Sequence, residues 1–224
     1  GGKGPGEEWQ VTRLHPVPSR QELVGEAIGL NPERYPLAAG PLMVAALGAD
    51  PPANALRFQL SLLSLNEAGE VSAAEPPTPE EALVLSRELP RLSAKEMTVV
   101  TGPALEHALV LERASLDLQT TDADDAIGRP LSEVLPIGEN ESRLRRLMDD
   151  SVNLLREQEF NQRRRDEGRA PLELLLPWGQ AYGLDLPYLP LKIGSPAEFG
   201  LAWAAASRWS VAGLAKLCGL TYRD

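Results

Sequence analysis

The clearest hydrophobic pattern in the chain is a period-two alternation across residues 53–65, which is typical of a β-strand with one buried face. Four apolar side chains at alternate positions share that face: Leu56, Phe58, Leu60 and Leu62. The glycine-containing sequence at 67–70 predicts a turn. We therefore expect Val71 to begin a second strand that returns alongside the first.

Other segments show the period of a helix. Thr78 is a suitable N-cap for a helix over 79–88, because proline fits the first turn and acidic residues favour the positive helix end. A short helix is expected at 41–47. Apolar residues at helical spacing predict the longest helix over 140–167, and Gly168 is expected to end it in the left-handed conformation.

Further apolar runs complete the predicted elements. Strands are expected at 9–17, 97–101, 107–112 and 172–176, and helices at 19–29 and within 197–217. Because strands and helices interleave along the chain, we predict an α/β or α+β fold with a mixed sheet and flanking helices.

Composition narrows the classes of partner. The formal net charge of −10 disfavours nucleic acid and anionic membranes, since both bind basic surfaces. The single cysteine, Cys218, excludes an intramolecular disulfide and fits a reducing compartment, so we expect a cytoplasmic protein. No run approaches the roughly 20 apolar residues of a membrane-spanning helix, and residues 1–8 lack the apolar core of a signal peptide.

Six short motifs follow one another in order along the chain. They are Ala27–Tyr35, Leu56–Gln59, Glu106–Leu111, Thr121–Asp125, Asn161 with Arg164, and Trp178–Gln180. Each motif is weak alone, but the ordered series resembles the archaeal-type cofactor-independent (2,3-bisphosphoglycerate-independent) phosphoglycerate mutases of the alkaline-phosphatase superfamily.

The resemblance implies a domain plan and a reaction. Residues 1–50 would be a remnant of the metal-binding catalytic domain, 51–195 the inserted domain that caps the substrate, and 196–224 the return to the catalytic domain. The family interconverts 3- and 2-phosphoglycerate through a phosphoserine, with two manganese or magnesium ions. A phosphorylated three-carbon acid is therefore the implied ligand.

Three positions depart from the family pattern. The nucleophilic serine falls on Arg20, although shifting the alignment by one residue would place Ser19 there. Glu106 stands where an arginine is expected, which replaces a phosphate clamp with a like charge. Asp125 stands in place of a histidine. The two histidines of the chain form no recognisable ligand pair, so we expect neither a metal site nor a catalytic residue in this chain.

Three polar residues remain as candidates for substrate binding: Arg57, Asn161 and Arg164. Guanidinium groups bind phosphate or carboxylate through paired hydrogen bonds. The alternative for the arginines at 163–165 is a solvated helix end, where positive charge is favourable. The spacing from Asn161 favours a binding role more for Arg164 than for its two neighbours.

Other polar residues have both a structural and a functional interpretation. The carboxylates at 122, 124 and 125 could bind a divalent cation through oxygen, but acidic loops are more often simply solvated. We expect His107, on an apolar strand, to be a hydrogen-bonded core residue rather than a catalyst. Trp178 is expected to pack at a seam between domains, and Gly179 to permit a tight turn.

Two functions stay open from the sequence. In the first, the chain is catalytically inactive and acts as a binding or interaction module. In the second, it is the substrate-capping part of an active mutase whose metal-binding segments lie elsewhere. Convergence of Arg57 and Arg164 on one anion would favour the second, and dispersal would favour the first. The apolar face of 201–220 also predicts a homodimer or a partner chain.

Overall fold

The computed structural model describes residues 31, 34–35, 37–102, 104–186, 213–214 and 216–218. The strand predicted at 9–17, the helix predicted at 19–29, Arg20 and most of 197–217 lie outside the described residues. The helices are α1 (Ala39–Ala46), α2 (Pro79–Glu88), α3 (Ala123–Ala126), α4 (Glu141–Arg156) and α5 (Glu159–Asp166), with 3-10 turns at Leu89–Leu92 and Leu131–Glu133. The strands are β1 (Leu56–Leu65), β2 (Val71–Ser72), β3 (Met97–Val100), β4 (Glu106–Leu111), β5 (Leu118–Gln119), β6 (Ile137–Gly138) and β7 (Leu174–Ala181).

The main sheet is built around β1, which pairs with β4 on one side and with β7 on the other. The hairpin strand β2 pairs with the end of β1, and β3 pairs with β4. Every pairing among the described strands is antiparallel. The predicted class, a sheet with flanking helices, is confirmed, and its sheet is antiparallel rather than mixed.

Both faces of this sheet are covered, so β1 is buried along nearly its whole length. The predicted apolar face of β1 packs in a core with Leu144, Leu147 and Leu155 of α4 and with Leu85 of α2. On the opposite face, α1 packs through Met43 and Val44 against Ala108 and Val110 of β4. A central strand covered on both faces has no solvent side, and its polar residues must therefore find partners inside the protein.

The predicted helix at 79–88 is confirmed together with its cap. Thr78 Oγ1 accepts a hydrogen bond from the backbone N–H of Glu81, and the Glu81 carboxylate accepts one from the N–H of Thr78. This reciprocal capping box satisfies two N–H groups that the helix itself leaves unpaired.

The prediction of one helix over 140–167 is wrong, because the structure contains two helices with a break at residues 157–158. Gln158 is extended, with φ −66° and ψ 137°. Side chains after the break bond to carbonyls at the end of α4: Gln158 Nε2 donates to Leu154 O, and Asn161 Nδ2 donates to Leu155 O. Gly168, with φ +70°, follows the second helix as predicted.

Gly179 lies inside β7 rather than at a tight turn, which corrects the sequence interpretation. Its φ is +62°, and a Cβ on it would lie 2.7 Å from the Cβ of Ala39. The register between β1 and β7 shifts nearby, between Arg57 and Gln59. The glycine thus permits a left-handed backbone and the close approach of α1 to the sheet.

The C-terminal apolar stretch is described only in part. Leu214 and Cys218 are buried against Leu42 of α1. Burial raises the pKa of the Cys218 thiol to about 11, which makes it an unreactive core residue. These two side chains therefore cannot contribute to an exposed apolar face, whereas the rest of the predicted dimer face lies outside the described residues. No helix in the described part of the chain is long and apolar enough to cross a membrane.

Candidate functional site

The three predicted substrate-binding residues lie in two separate places. Arg57 is near the beginning of β1, where it pairs with Val110 and Ala181. Asn161 and Arg164 are on α5, near the other end of β1, where Leu63 O accepts a hydrogen bond from the N–H of Glu173. At the rise of a β-strand, positions 57 and 63 are roughly 20 Å apart. Arg57 and Arg164 share no hydrogen-bond partner among the described residues.

Arg164 is fully buried, and its guanidinium is occupied inside the protein. Nε and Nη2 donate to the two carboxylate oxygens of Glu81 at 2.9 and 2.7 Å. The remaining donors bond to the carbonyl oxygens of Glu75, Pro76 and Ala170 at 3.1–3.2 Å. All five N–H groups of the side chain are therefore satisfied without a ligand.

Asn161 is also fully buried, and it joins two backbone segments. Its Nδ2 donates to the carbonyls of Leu155 and Leu172, both at 2.8 Å, and its Oδ1 accepts from the N–H of Leu172 at 2.7 Å. These contacts tie the end of α4 to the segment that leads into β7. The spacing of Asn161 and Arg164 that drew attention in the sequence thus has a structural explanation.

Arg57 is 8% exposed and points toward carbonyl oxygens at the start of its own strand. It donates to Ala55 O at 3.2 Å, to Pro51 O at 3.2 Å and to Pro52 O at 3.3 Å. Burial lowers the pKa of its guanidinium, and the charge of Asp50 partly offsets this effect. Of the two candidate arginines, Arg57 is the one without a carboxylate hydrogen-bond partner in the described part of the chain.

Three of the motif segments meet on the sheet face opposite the main apolar core. We call this surface the polar face and define it by Gln59 and Ser61 of β1, Glu106 of β4, and Trp178 of β7. Gln59 Nε2 donates to the Glu106 carboxylate. Trp178 Nε1 donates to Ser61 Oγ at 3.0 Å, which joins β7 to β1 through their side chains. The segment Thr121–Asp125 lies beside this face, because the charge of Asp124 acts on Glu106. Gln180 points to the other side of β7, where its side chain bonds to Thr120 and to Leu118 O.

The charge of the polar face is negative. Burial raises the pKa of Glu106, the hydrogen bond from Gln59 lowers it, and the nearby Asp124 raises it again, with a net upward shift. The pKa of Asp122 is also raised, by burial and then by the charges of Asp125 and Asp124. Carboxylates that raise one another's pKa create a region that repels an anion such as phosphate.

His107 points to the other side of β4, into the apolar core, and is 1% exposed. Its Nδ1 accepts a hydrogen bond from the N–H of Gly102 at 3.0 Å, whereas its Nε2 has no partner. Burial lowers the pKa of the imidazole to about 4, so the ring is neutral at physiological pH. This confirms the interpretation of His107 as a hydrogen-bonded core histidine.

The side chains present do not fit the pair of metal ions that the resemblance implies. No three His, Cys, Asp or Glu side chains within the described ranges are placed so that they could hold an ion. His107, the one histidine that these ranges contain, faces the core and not the acidic residues. We therefore derive no chemical step through a metal from these residues.

Sequence reasoning missed the importance of Glu81 and of the polar side chains on β1. Glu81 was recognised only as a favourable charge near a helix N-terminus, and its partner Arg164 is 83 positions away. The alternation of β1 does place Gln59 and Ser61 together on one face. That signal could have identified the polar face, but it could not show that the face is buried.

The known proteins that this chain resembles in sequence carry the name of one family. The family model described as 2,3-bisphosphoglycerate-independent phosphoglycerate mutase matches residues 26–161, more than half of the chain. The 2,3-bisphosphoglycerate-independent phosphoglycerate mutase 2 from Methanothermobacter thermautotrophicus is 27% identical to this chain over 161 residues. The match covers 68% of this chain and 39% of the relative. A probable mutase from Geobacter sulfurreducens is 24% identical over 80% of this chain and 45% of the relative. The chain thus spans about two fifths of the length of these relatives.

The solved structures that resemble this fold include a protein of the same name. A cofactor-independent phosphoglycerate mutase from Thermoplasma acidophilum superposes with a TM-score of 0.54 at 17% identity, covering 91% of this chain and 56% of that one. At this identity the superposition supports the fold alone. Because the family model covers most of the described sheet and helices, this chain belongs to the 2,3-bisphosphoglycerate-independent phosphoglycerate mutase family.

Proposed function

We propose that this chain is a phosphoglycerate mutase-like module that does not catalyse the mutase reaction by itself and acts through binding or interaction. The observation that supports this most directly is the state of Arg164. An arginine whose five N–H donors already bond to Glu81 and to three carbonyls has none left for a substrate phosphate. Recruiting it for a ligand would leave the buried Glu81 carboxylate unpaired, which is strongly unfavourable.

The charge of the polar face supports the same proposal. Glu106 occupies the position at which the resemblance implies an arginine, and Asp122 and Asp124 add further carboxylates nearby. A dianionic phosphate approaching this face would meet like charges in a half-buried environment, where Coulomb repulsion is stronger than in bulk water.

One observation favours a second candidate, the substrate-capping part of an active mutase. The motif segments around Gln59, Glu106 and Trp178 do converge on a single face, as a shared binding surface would require. Arg57, which bonds only to carbonyl oxygens, lies on the same face of β1 and would be the cation available to a ligand. In this alternative the metal chemistry would come from other segments or from another chain.

A calorimetric titration of the purified chain with 3-phosphoglycerate, with and without manganese, separates the two candidates. A coupled assay for 2-phosphoglycerate formation accompanies it. We expect neither turnover nor saturable binding under either condition. Turnover with manganese would overturn the proposal of a non-catalytic chain.

Saturable binding without turnover would shift the interpretation to the capping role, provided that Arg57→Gln weakens it. Arg57→Gln is the appropriate variant because Arg164→Ala would disrupt the buried ion pair with Glu81. Arg163→Gln removes the same charge from the exposed surface of α5 and serves as the matched control.

The assembly and the compartment remain proposals. We propose a cytoplasmic homodimer, from the apolar residues of 201–220 other than Leu214 and Cys218 and from the single cysteine. Light scattering at micromolar concentration would give twice the monomer mass, and the monomer mass would contradict the proposal.

A further inference from the structure

A cleft of about 460 Å³ opens between α4 and the segment that follows α2, on the side of the sheet opposite the polar face. We call it the basic cleft and define it by four cationic side chains that line it, Arg91, Lys95, Arg143 and Arg146. Among the residues that line it, Asp150 supplies the single carboxylate. The cleft is therefore a concentration of positive charge on a chain whose formal net charge is −10.

The cations of the basic cleft are only partly neutralised. No ion pair or hydrogen bond involves the ammonium group of Lys95 among the described residues, and Arg146 makes only a 3.5 Å ion pair with Asp150. Arg91 pairs with Glu88 through one of its nitrogens and keeps its other donors. Unpaired cations around a concave surface focus the electrostatic potential and raise the local concentration of anions.

Arg143 has a structural role in the cleft, because it joins two segments of the wall by hydrogen bonds. Its guanidinium donates to the carbonyls of Glu112 at 3.2 Å, Lys95 at 3.4 Å and Glu96 at 2.9 Å. These bonds tie the beginning of α4 to the loop that presents Lys95. The loop is thus held in place before any ligand arrives, which reduces the entropic cost of binding.

The inner wall of the cleft is apolar. Leu92, Met97 and Leu154 line it beside the cations, and Met97 belongs to the main core of the protein. The volume lies in the range of small-molecule sites, which combine apolar walls with a few convergent polar groups. A ligand that suits this lining has an anionic group for the cations and an apolar body for the inner wall.

We propose that the basic cleft binds a small organic oxyanion, a phosphoryl or carboxylate group attached to an apolar body. Guanidinium and ammonium groups both form charge-assisted hydrogen bonds with such oxyanions, and Arg146 and Arg91 have free donors for them. Inorganic phosphate should bind more weakly than such a ligand, because it has no apolar group to bury against the inner wall. This site is independent of the polar face and of the proposed function.

Calorimetric titrations with phenyl phosphate, benzoate and inorganic phosphate test the proposal on the full chain. We expect saturable binding of phenyl phosphate or benzoate, tighter than that of inorganic phosphate and weaker as sodium chloride is added. Tighter binding of phenyl phosphate assigns a phosphoryl ligand, and tighter binding of benzoate assigns a carboxylate. Absence of saturable binding by both aromatic probes would overturn the proposal.

Matched variants locate the site. Lys95→Gln and Arg146→Gln each remove an exposed charge from the cleft and should weaken binding about tenfold, corresponding to the loss of one good charge-assisted contact. Arg163→Gln removes an equivalent exposed charge outside the cleft and should leave binding unchanged. Equal weakening by all three variants, or no effect of the two cleft variants, would contradict a site in the basic cleft.

Discussion

At the scale of single residues, the ion pair of Arg164 and Glu81 is the interaction on which the arrangement of α5 depends. Burial opposes ionisation of Glu81, but the hydrogen bonds from Arg164 and Thr78 and the charges of Arg164 and Arg169 outweigh it, so the pKa of Glu81 is lowered. The pair also organises the carbonyls of Glu75 and Pro76 ahead of α2. It joins the beginning of α2 to the middle of α5.

Replacing Arg164 by alanine should therefore act on stability. We expect a loss of about 3–5 kcal/mol in the free energy of unfolding, because the change leaves a buried carboxylate unpaired. This loss of unfolding free energy can be measured by urea unfolding followed by circular dichroism. Arg163→Ala, on the exposed side of the same helix, should change stability by less than about 0.5 kcal/mol. Equal, small effects of both substitutions would contradict a structural role for Arg164.

His107 gives a pH dependence whose sign follows from its environment. The folded-state pKa of about 4 lies below the ordinary value of 6.5, since burial disfavours the charged ring. The unfolded chain therefore binds a proton that the folded chain does not, and stability falls as pH drops below 6.5 toward 4. Between pH 7 and pH 5 this loss is roughly 2 kcal/mol.

The variant His107→Asn tests this, because asparagine Oδ1 is bonded to Cγ as Nδ1 is in histidine, so it keeps an acceptor for the Gly102 N–H and cannot titrate. Urea unfolding at pH 7 and pH 5 should show a smaller loss for the variant than for the native chain, by roughly 2 kcal/mol. Identical losses in the two proteins would mean that His107 is not the group responsible.

At the scale of elements, the break between α4 and α5 is maintained by side-chain hydrogen bonds to the backbone. Asn161→Ala removes the partners of Leu155 O, Leu172 O and Leu172 N–H, all of them buried. We expect a loss of about 2–4 kcal/mol in unfolding free energy, since unsatisfied buried backbone groups are costly. Gln162→Ala, next to it on the exposed side, is the control and should be nearly neutral. A neutral Asn161→Ala would show that the break is stable without these bonds.

The contact of α1 with the sheet depends on a glycine. A Cβ on Gly40 would lie 2.1 Å from the carbonyl oxygen of Arg57, which belongs to the backbone of the central strand. Gly40→Ala should therefore lower the melting temperature strongly, because α1 must move away from β1. Gly69→Ala is the control: its φ of +76° is strained for alanine, but no atom lies within 4 Å of the added Cβ, so about 1 kcal/mol is expected. Comparable melting temperatures for the two variants would contradict close packing of α1.

At the scale of the whole molecule, the excess of negative charge is the dominant electrostatic property. The formal net charge of −10 opposes compaction through self-repulsion. Burial raises the pKa values of Glu106 and Asp122, and neighbouring carboxylates add to both shifts. Raising sodium chloride from about 20 to 300 mM should increase the melting temperature, because the Debye length falls below the spacing of exposed charges. A decrease would mean that attractive surface pairs outweigh the repulsion.

The elements that could be predicted from the sequence are those whose signals are local. The helix after Thr78, the central strand and the strands β3 and β4 follow from capping residues and from runs of apolar residues. The break at residues 157–158 could not be predicted, because the helical period continues through it. Two of the hydrogen bonds that hold α5 after the break join Asn161 to the distant Leu172.

By itself, the sequence determined the family, the order of most described elements and the acidic character of the chain, since ordered motifs, periodicity and charge are properties of neighbouring residues. Only the tertiary structure decided what the polar residues do. The sequence makes Arg164 a candidate for substrate binding, and the structure pairs it with Glu81, far away in sequence. Likewise, four cations from two segments form the basic cleft only because α4 packs beside the loop containing Lys95. Long-range pairing sets the environment of each charge, and that environment determines whether the charge binds a ligand or stabilises the fold.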